Sequence, residues 1–417
     1  MDHHERHTSS GGLTGSRPDR TPAVRPYDGH NKGSLGDGFV SNVHCTRAPG
    51  ERLGAAAMTV EPLDPSESIR LAVLGVGNIG KVHVQAARAM DDVDLVAVAD
   101  AVPENRAYAN RVGVDVVYDD YANLLRTEPV DAVVVALPPF LHHDAVEHAA
   151  RRDCHVFVEK PLARTAEESR DLLETATAAD VLVGVDHTVR YIPAVRRVRE
   201  AYARGAVGDV PYATVSRVNY GSFARPPARG PLPGWHLNGD AAGGGVLVEL
   251  GVHLFDVLSW TFGDLEVLAA DMDSQLDIPV EDSATVLLRA TETDTRITLH
   301  CGSYQWEDDD EFNLTFRLEG LTGTLDAGEY LPDSFYGNAA RAAVRNVARQ
   351  LRGHEPEYFG PTYYLQAYYA ALRDFLDAVR AGETPPVDGR DGLRAVELAE
   401  TAYEQADRPG QSLEVSR

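Results

Sequence analysis

Six short apolar stretches alternate with helical ones between residues 69 and 185, and a G-x-G-x-x-G turn follows the first of them. Beyond residue 187 the rhythm changes to glycine-punctuated helix and alternating strands. These observations predict an α/β chain. Its first domain is a doubly wound parallel sheet, and an α+β domain with an open, mostly antiparallel sheet follows.

The organising stretch is IRLAVLGVGNIGKVH, residues 69–83. Ile69, Leu71, Ala72, Val73 and Leu74 form the apolar run of a strand buried on both faces. Gly75, Gly77 and Gly80 come next, and a helical pattern carrying Ile79, Val82, Val84 and Ala87 begins. A bare G-x-G-x-x-G is an ordinary glycine-rich turn; between strand and helix, with an acid further on, it is a dinucleotide-binding pattern. Gly75 permits the tight turn, Gly77 lets a pyrophosphate approach the backbone, and Gly80 lets helix and strand pack closely. The helix start at Asn78, Ile79 and Gly80 offers free N–H groups and a positive dipole end to the phosphates. This is the pattern of a Rossmann domain.

Further strands are expected at 93–100, 114–118, 131–137, 154–158 and 181–185, with helices at 104–112, 122–125, 141–152 and 167–178. The second part reads as a helix at 194–204, a half-exposed strand at 210–220, and a helix opened by Gly243-Gly244-Gly245 and running to residue 262. Strands at 265–273, 284–291, 296–304, 313–318 and 323–325 and two closing helices, 361–380 and 390–406, complete it. Residues 1–67 carry no apolar periodicity and are expected to be a disordered extension. Its His3, His4 and His7 are read as tail residues rather than a metal site, and Met58 is a candidate start. The Rossmann domain is assigned to 68–187 and the substrate-binding and oligomerisation domain to 188–417.

A formal net charge of −25 argues against nucleic acid and anionic membranes as partners. No apolar run is read as approaching the roughly 18 residues of a membrane span, and the polar N-terminus lacks a signal-peptide core. Cys45, Cys154 and Cys301 are far apart and odd in number, which fits a reducing, cytoplasmic setting and no metal spacing. Lysine occurs only at Lys32, Lys81 and Lys160. A carboxylate-rich, lysine-poor surface fits a high-salt cytoplasm, where screening removes self-repulsion.

Asp100 closes the second strand about twenty residues past the glycine turn, where an acid hydrogen-bonds the adenine-ribose diol. Its carboxylate repels a 2′-phosphate and favours NAD, while Arg106, one turn into the next helix, keeps NADP open. Asp100 can also cap the helix beginning near Pro103. Glu159-Lys160-Pro161 ends the fifth strand, at the carboxyl edge where open α/β sheets bind ligands. A lysine there can polarise or deprotonate a substrate hydroxyl. Glu249 and His253 are four apart on a helix, so the carboxylate is expected to orient the imidazole for proton transfer. They give two metal ligands with no third at metal-site spacing, so no metal is expected. Lys81, beside the glycine turn, is a candidate phosphate contact.

The glycine turn, Asp100, Leu137-Pro138-Pro139-x-x-His142, Glu159-Lys160-Pro161 and Gly245-x-x-x-Glu249-x-x-x-His253 occur in an order and spacing that resembles the glucose–fructose oxidoreductase / inositol 2-dehydrogenase / rhizopine-catabolism family. The resemblance covers about residues 68–408. It implies NAD(P)-linked oxidation or reduction of a sugar, polyol or sugar-derivative hydroxyl by a homodimer or homotetramer. It makes Lys160 and His253 catalytic and places Leu137, Pro138, His142, Glu159 and Lys160 beside the cofactor. It implies that His187, Arg190 and Tyr191, after the sixth strand, line the substrate pocket. Trp235 and His236 can stack on a sugar ring. One position departs from the family: Glu249 stands where Asp is usual, so the acid can shift His253 or reach Lys160 instead. Two other functions share the scaffold, a non-catalytic NAD or sugar sensor and an NAD-dependent glycoside hydrolase with no net redox.

Overall fold

The structure, a computed structural model, describes residues 58–218, 223, 233–304, 314–329, 344, 347–348, 351 and 363–406. The expected features at His3, His4, His7, Cys45, Lys32 and the acidic run 307–311 lie outside these residues.

The first sheet is built from β1 (Ile69–Leu74), β2 (Val93–Ala99), β3 (Val117–Tyr118), β4 (Ala132–Val135), β5 (His155–Val158) and β6 (Val183–Val185). Their order is β3-β2-β1-β4-β5-β6, all parallel. Every residue of β4 and β5 is buried, as a strand covered by helices on both faces requires. The crossover helices are α1 (Asn78–Arg88), α2 (Pro103–Arg111), α3 (Tyr121–Thr127), α4 (His142–Ala150) and α5 (Ala166–Ala178). Local chemistry starts them. Asp120 accepts from the Asn123 N–H at 2.7 Å to cap α3, and Thr165 accepts from Glu168 N–H at 3.1 Å to cap α5. Pro103 sits in the first turn of α2, where its missing N–H has no helical partner to lose. The chain reverses between β1 and β4, so the glycine turn and the ends of β4, β5 and β6 share the carboxyl edge of the sheet.

After β6 come a 3₁₀ turn at Thr188–Tyr191, α6 (Pro193–Ala203) and β7 (Tyr212–Val218). The second sheet adds β8 (Leu265–Asp273), β9 (Ser283–Ala290), β10 (Arg296–Gly302), β11 (Leu314–Gly320) and β12 (Gly323–Asp326) in the order β12-β11-β7-β10-β9-β8. All neighbours are antiparallel except β7 and β10. The sheet is therefore mixed, because β7 lies between two strands that come much later in the chain. Burial alternates along β7 and β9, so one face is covered and the other half-exposed.

The glycine-run helix is not uniform. A short α7 (Gly239–Ala242) and the glycines lead into a π-helical turn at Leu247–Gly251, and α8 (Val252–Phe262) continues from it. Glu281 accepts from the N–H groups of Gly245 and Leu247, each at 3.1 Å, and caps this start. The stretch Gly239–Phe262 is long and apolar enough by composition to cross a membrane, contrary to the sequence-based expectation. Within the fold 78% of its apolar window is buried, which makes it a core helix.

Of the closing helices, α9 (Tyr363–Ala381) returns to α1 and β5 of the first sheet, while α10 (Gly389–Ala406) packs against β8 and α8 as well as α5 and β6. Phe375 of α9 packs on Phe157 of β5, with ring centroids 5.2 Å apart. Arg373 and Arg380 of α9 pair with Asp92, just before β2. Residues 58–67, expected in the extension, are partly tied down: Val60 N–H donates to Gly382 O at 2.9 Å, and Thr384 Oγ1 to Met58 O.

Candidate active site

The glycine turn has the geometry of a phosphate cradle. Gly75 has φ +89°, a left-handed conformation, and a Cβ on it would lie 2.3 Å from Ala136 O. A Cβ at Gly80 would lie 1.9 Å from Gly75 O, which fixes how closely α1 approaches the strand end. A Cβ at Gly77 meets nothing within 4 Å. Gly77 therefore faces open space at the start of α1, and no side chain caps that helix. Its first N–H groups are left to an anion, so the residues present fit a pyrophosphate. Asp100 stands beside the cradle: Oδ2 accepts from Val76 N–H at 2.6 Å, and Oδ1 from Val102 N–H at 2.7 Å. It thus joins the glycine turn to Val102 at the start of α2, a helix that has no side-chain cap of its own. Arg106 donates Nη1 to the carbonyls of Asp100 and Ala101, at 2.7 and 2.8 Å.

These spaces predict a split between two alanine variants. Gly80→Ala should cost about 1–3 kcal/mol of stability, because the clash is with backbone. Gly77→Ala should leave the melting temperature within about 1 °C yet weaken NAD binding about tenfold. Equal NAD affinity in Gly77→Ala and the wild type would remove the cradle reading.

At the end of β5, Lys160 reaches the second domain. Its Nζ donates to Glu249 Oε2 at 3.0 Å and to Glu249 O at 2.9 Å. The peptide bond between Lys160 and Pro161 is cis. His253 of α8 and His187 lie in the same neighbourhood, edge to face with ring centroids 5.7 Å apart. Both imidazoles are buried, and Nδ1 of His253 and both nitrogens of His187 have no hydrogen-bond partner. Buried polar atoms without partners invite a ligand's hydroxyls. Burial, followed by the Lys160 charge, holds the His253 pKa well below its ordinary value, so the ring is neutral and able to accept a proton. Burial likewise lowers His187.

Two family descriptions match the chain: "Oxidoreductase family, NAD-binding Rossmann fold" over residues 69–187 and "GFO/IDH/MocA C-terminal domain" over residues 195–326. The chain belongs to the Gfo/Idh/MocA oxidoreductase family. Its relatives include the D-glucoside 3-dehydrogenase of Escherichia coli K12, 31% identical over 303 residues that cover 70% of this chain and 76% of that protein. The myo-inositol 2-dehydrogenase of Thermotoga maritima is 26% identical over 351 residues, 80% of this chain and 95% of the relative. Levoglucosan dehydrogenase in complex with NADH shares the fold at a TM-score of 0.67 and 20% identity, covering 82% and 97% of the two chains.

Several residues expected at a Gfo/Idh/MocA site are placed differently from the sequence reading. Glu249 pairs with Lys160, and His253 Nδ1 has no partner, so Glu249 does not orient the imidazole. Glu249 lies within the π-helical turn and His253 in α8 just after it, and the acid meets a cation carried by another segment. Glu159 is buried with its carboxylate on His83 rather than turned to a cofactor. His142 is fully buried; its Nε2 lies 2.8 Å from Leu137 O and its Nδ1 3.0 Å from Pro161 O. It staples the Pro138 loop to the Lys160–Pro161 turn. Leu137 packs its side chain toward the Gly75 turn.

Arg190 is not a pocket residue. It forms a two-pronged pair with Asp256 of α8, and it also pairs with Asp391 of α10. Burial opposes its charge, but the two carboxylates outweigh it and raise the pKa. Tyr191 is buried beneath Arg196, whose guanidinium lies 4.6 Å from the ring centroid. Trp235 and His236 stack on each other at 3.6 Å. Trp235 still lines an open pocket of about 490 Å³ with Phe140, Arg164 and Asn238. Lys81 lies 5.2 Å from the Tyr108 ring centroid, in a cation–π arrangement on the helix surface.

Sequence reasoning missed His83, Asp186 and Asp256. Signals were present: His83 is three residues past Gly80, Asp186 immediately precedes His187, and Asp256 is three past His253. His83 and Asp256 are lone polar residues in apolar runs and Asp186 opens a polar one, which means little until the partner is known.

Proposed function

We propose that the chain is an NAD-dependent dehydrogenase acting on a secondary hydroxyl of a sugar, polyol or glycoside. The observation that carries this reading is the Lys160–Glu249 pair beside two buried imidazoles with unpartnered nitrogens, at the sheet edge that also carries the glycine cradle. The names of relatives that act on a glucoside and an inositol support the substrate class. NAD would supply the hydride acceptor. Lys160 places a positive charge where the carbinol oxygen loses its proton. Glu249, gripping Nζ through both its carboxylate and its carbonyl, fixes that charge in place. His253, held neutral by burial, takes the proton. Arg106, engaged with two carbonyls, is poorly placed to receive a 2′-phosphate, and Asp100 repels one, which favours NAD over NADP. Cys154 and Cys301 are free and buried, which supports a reducing, cytoplasmic setting. The half-exposed face of the second sheet supports assembly into dimers or tetramers.

The test is a screen of glycosides, monosaccharides, inositols and uronic acids with NAD and NADP in dilute and molar KCl, following reduced nicotinamide by absorbance. NADH should accumulate with at least one ring alcohol, and NAD should outperform NADP by about tenfold. Glycoside cleavage without NADH accumulation would identify the hydrolase instead. Binding without either reaction would identify a sensor.

A further inference from the structure

His83 of α1 is fully buried, and its Nε2 lies 3.0 Å from Glu159 Oε1 and 3.3 Å from Asp186 Oδ2. This trio joins the three carriers of the proposed site. α1 springs from the glycine cradle, Glu159 directly precedes Lys160, and Asp186 directly precedes His187. The backbones agree: Glu159 N–H donates to Val135 O and Asp186 N–H to Val158 O, each at 2.9 Å. The ends of β4, β5 and β6 thus meet at one imidazole.

The trio is also a proton problem. Two carboxyl groups and one ring share a space that is at most 8% exposed. Oδ1 of Asp186 has no hydrogen-bond partner, and Oδ2 has only the 3.3 Å ion-pair contact with His83. An ionised carboxylate so deeply buried and so poorly solvated would be very costly, and two like charges in one dry site cannot both persist. Among the described residues, Glu159 and Asp186 are the acids grouped with His83. Phe157 and Tyr368 stand perpendicular to it, with centroids 5.8 and 5.6 Å away. The remaining ionisable neighbours are Lys160, whose charge acts on Glu159, and His142, on which Glu159 acts. Although its ligand-type atoms lie within 4.8 Å of one another, the trio is already knit together as hydrogen-bond and ion-pair partners.

We propose that His83 and Asp186 are positioning residues for Lys160 and His187: with Glu159 they hold one additional proton in the core and so clamp the ends of β5 and β6. The proposal rests on the reading of Lys160 as an active-site residue. The charge pattern is an imidazolium, a Glu159 carboxylate and a neutral Asp186. Burial opposes the ring's charge, but Asp186 and Glu159 outweigh it and raise His83 to about 9. Burial, then the Glu159 charge, pushes Asp186 up to about 8. Burial would raise Glu159 as well, but its bond to His83 keeps it low. The sign follows: Asp186 is protonated below about 8 and ionises above it, and the second negative charge then pushes the strand ends apart.

Asp186→Asn tests this, because an amide is neutral at every pH. Near neutral pH its kcat should stay within about twofold of wild type, and the ratio of variant to wild-type kcat should rise about fivefold as pH climbs past 8. The infrared difference between wild type and Asp186→Asn should contain the carbonyl stretch of a protonated carboxyl at neutral pH, lost on the same rise. His83→Gln should lower kcat about tenfold with NAD affinity held within about twofold. No protonated-carboxyl band, a flat kcat ratio, or wild-type kcat in His83→Gln would each overturn the proposal. If His83→Gln does not fold, Asp186→Asn and its infrared band still decide. The band needs no substrate, so its presence in a protein that oxidises no sugar would sink the dehydrogenase reading and leave the shared proton standing.

Discussion

Replacing Lys160 with Met is expected to abolish measurable turnover while NAD binding stays within about twofold of wild type. Met keeps most of the stem and loses the ammonium, so the change removes two hydrogen bonds to Glu249 and the charge facing the reacting oxygen. Removing a positioned proton-transfer or charge-stabilising group costs on the order of 10²–10⁴ in rate. His253→Ala should fall by a similar factor, because the neutral imidazole is the proton acceptor of the proposed reaction. Steady-state kcat and a fluorescence titration with NAD separate the two effects. A Lys160→Met protein that oxidises its substrate at the wild-type rate would take Lys160 out of the reaction.

The second large effect is on stability. Arg190→Met should destabilise the protein by about 3–5 kcal/mol, because it leaves the Asp256 carboxylate buried without its cation. At roughly 2–4 °C per kcal/mol for a chain region of this size, the melting temperature should fall by about 10 °C. Adding Asp256→Asn to Arg190→Met should recover part of the loss, since the stranded charge is then gone. Asp391 is 16% exposed against 0% for Asp256 and is expected to rehydrate. A melting temperature within about 2 °C of wild type in Arg190→Met would show that the pair contributes little. The loss should vary little with salt, because a buried pair is poorly screened.

The parallel first sheet, the glycine turn and the place of Asp100 at a strand end were legible because they depend on local rules. An apolar run, a glycine that must adopt positive φ and an acid at a strand end carry their reasons within a few residues of sequence. Strand ends shortened, as at β6, because pairing stops where the neighbouring strand stops. The site was only half legible. Lys160 and His253 were found, and they do come together. Arg190 was placed in the pocket by the family resemblance; only the fold reveals the Asp256 and Asp391 carboxylates that hold it. His142 and Glu159 were read toward the cofactor on the same resemblance, and the groups they grip lie on other segments. That Glu249 serves Lys160 rather than His253 could not be read, because Lys160 lies on another segment and the acid meets it from within the π-helical turn.

That turn amounts to one residue too many in an otherwise continuous helix. Its wider winding lets five residues cover nearly the rotation that four cover in an α-helix, so the extra residue is absorbed and α8 stays in phase with what precedes it. The acid that grips Lys160 through both its carboxylate and its carbonyl sits inside that turn, where the backbone bonding pattern departs from the α-helical one.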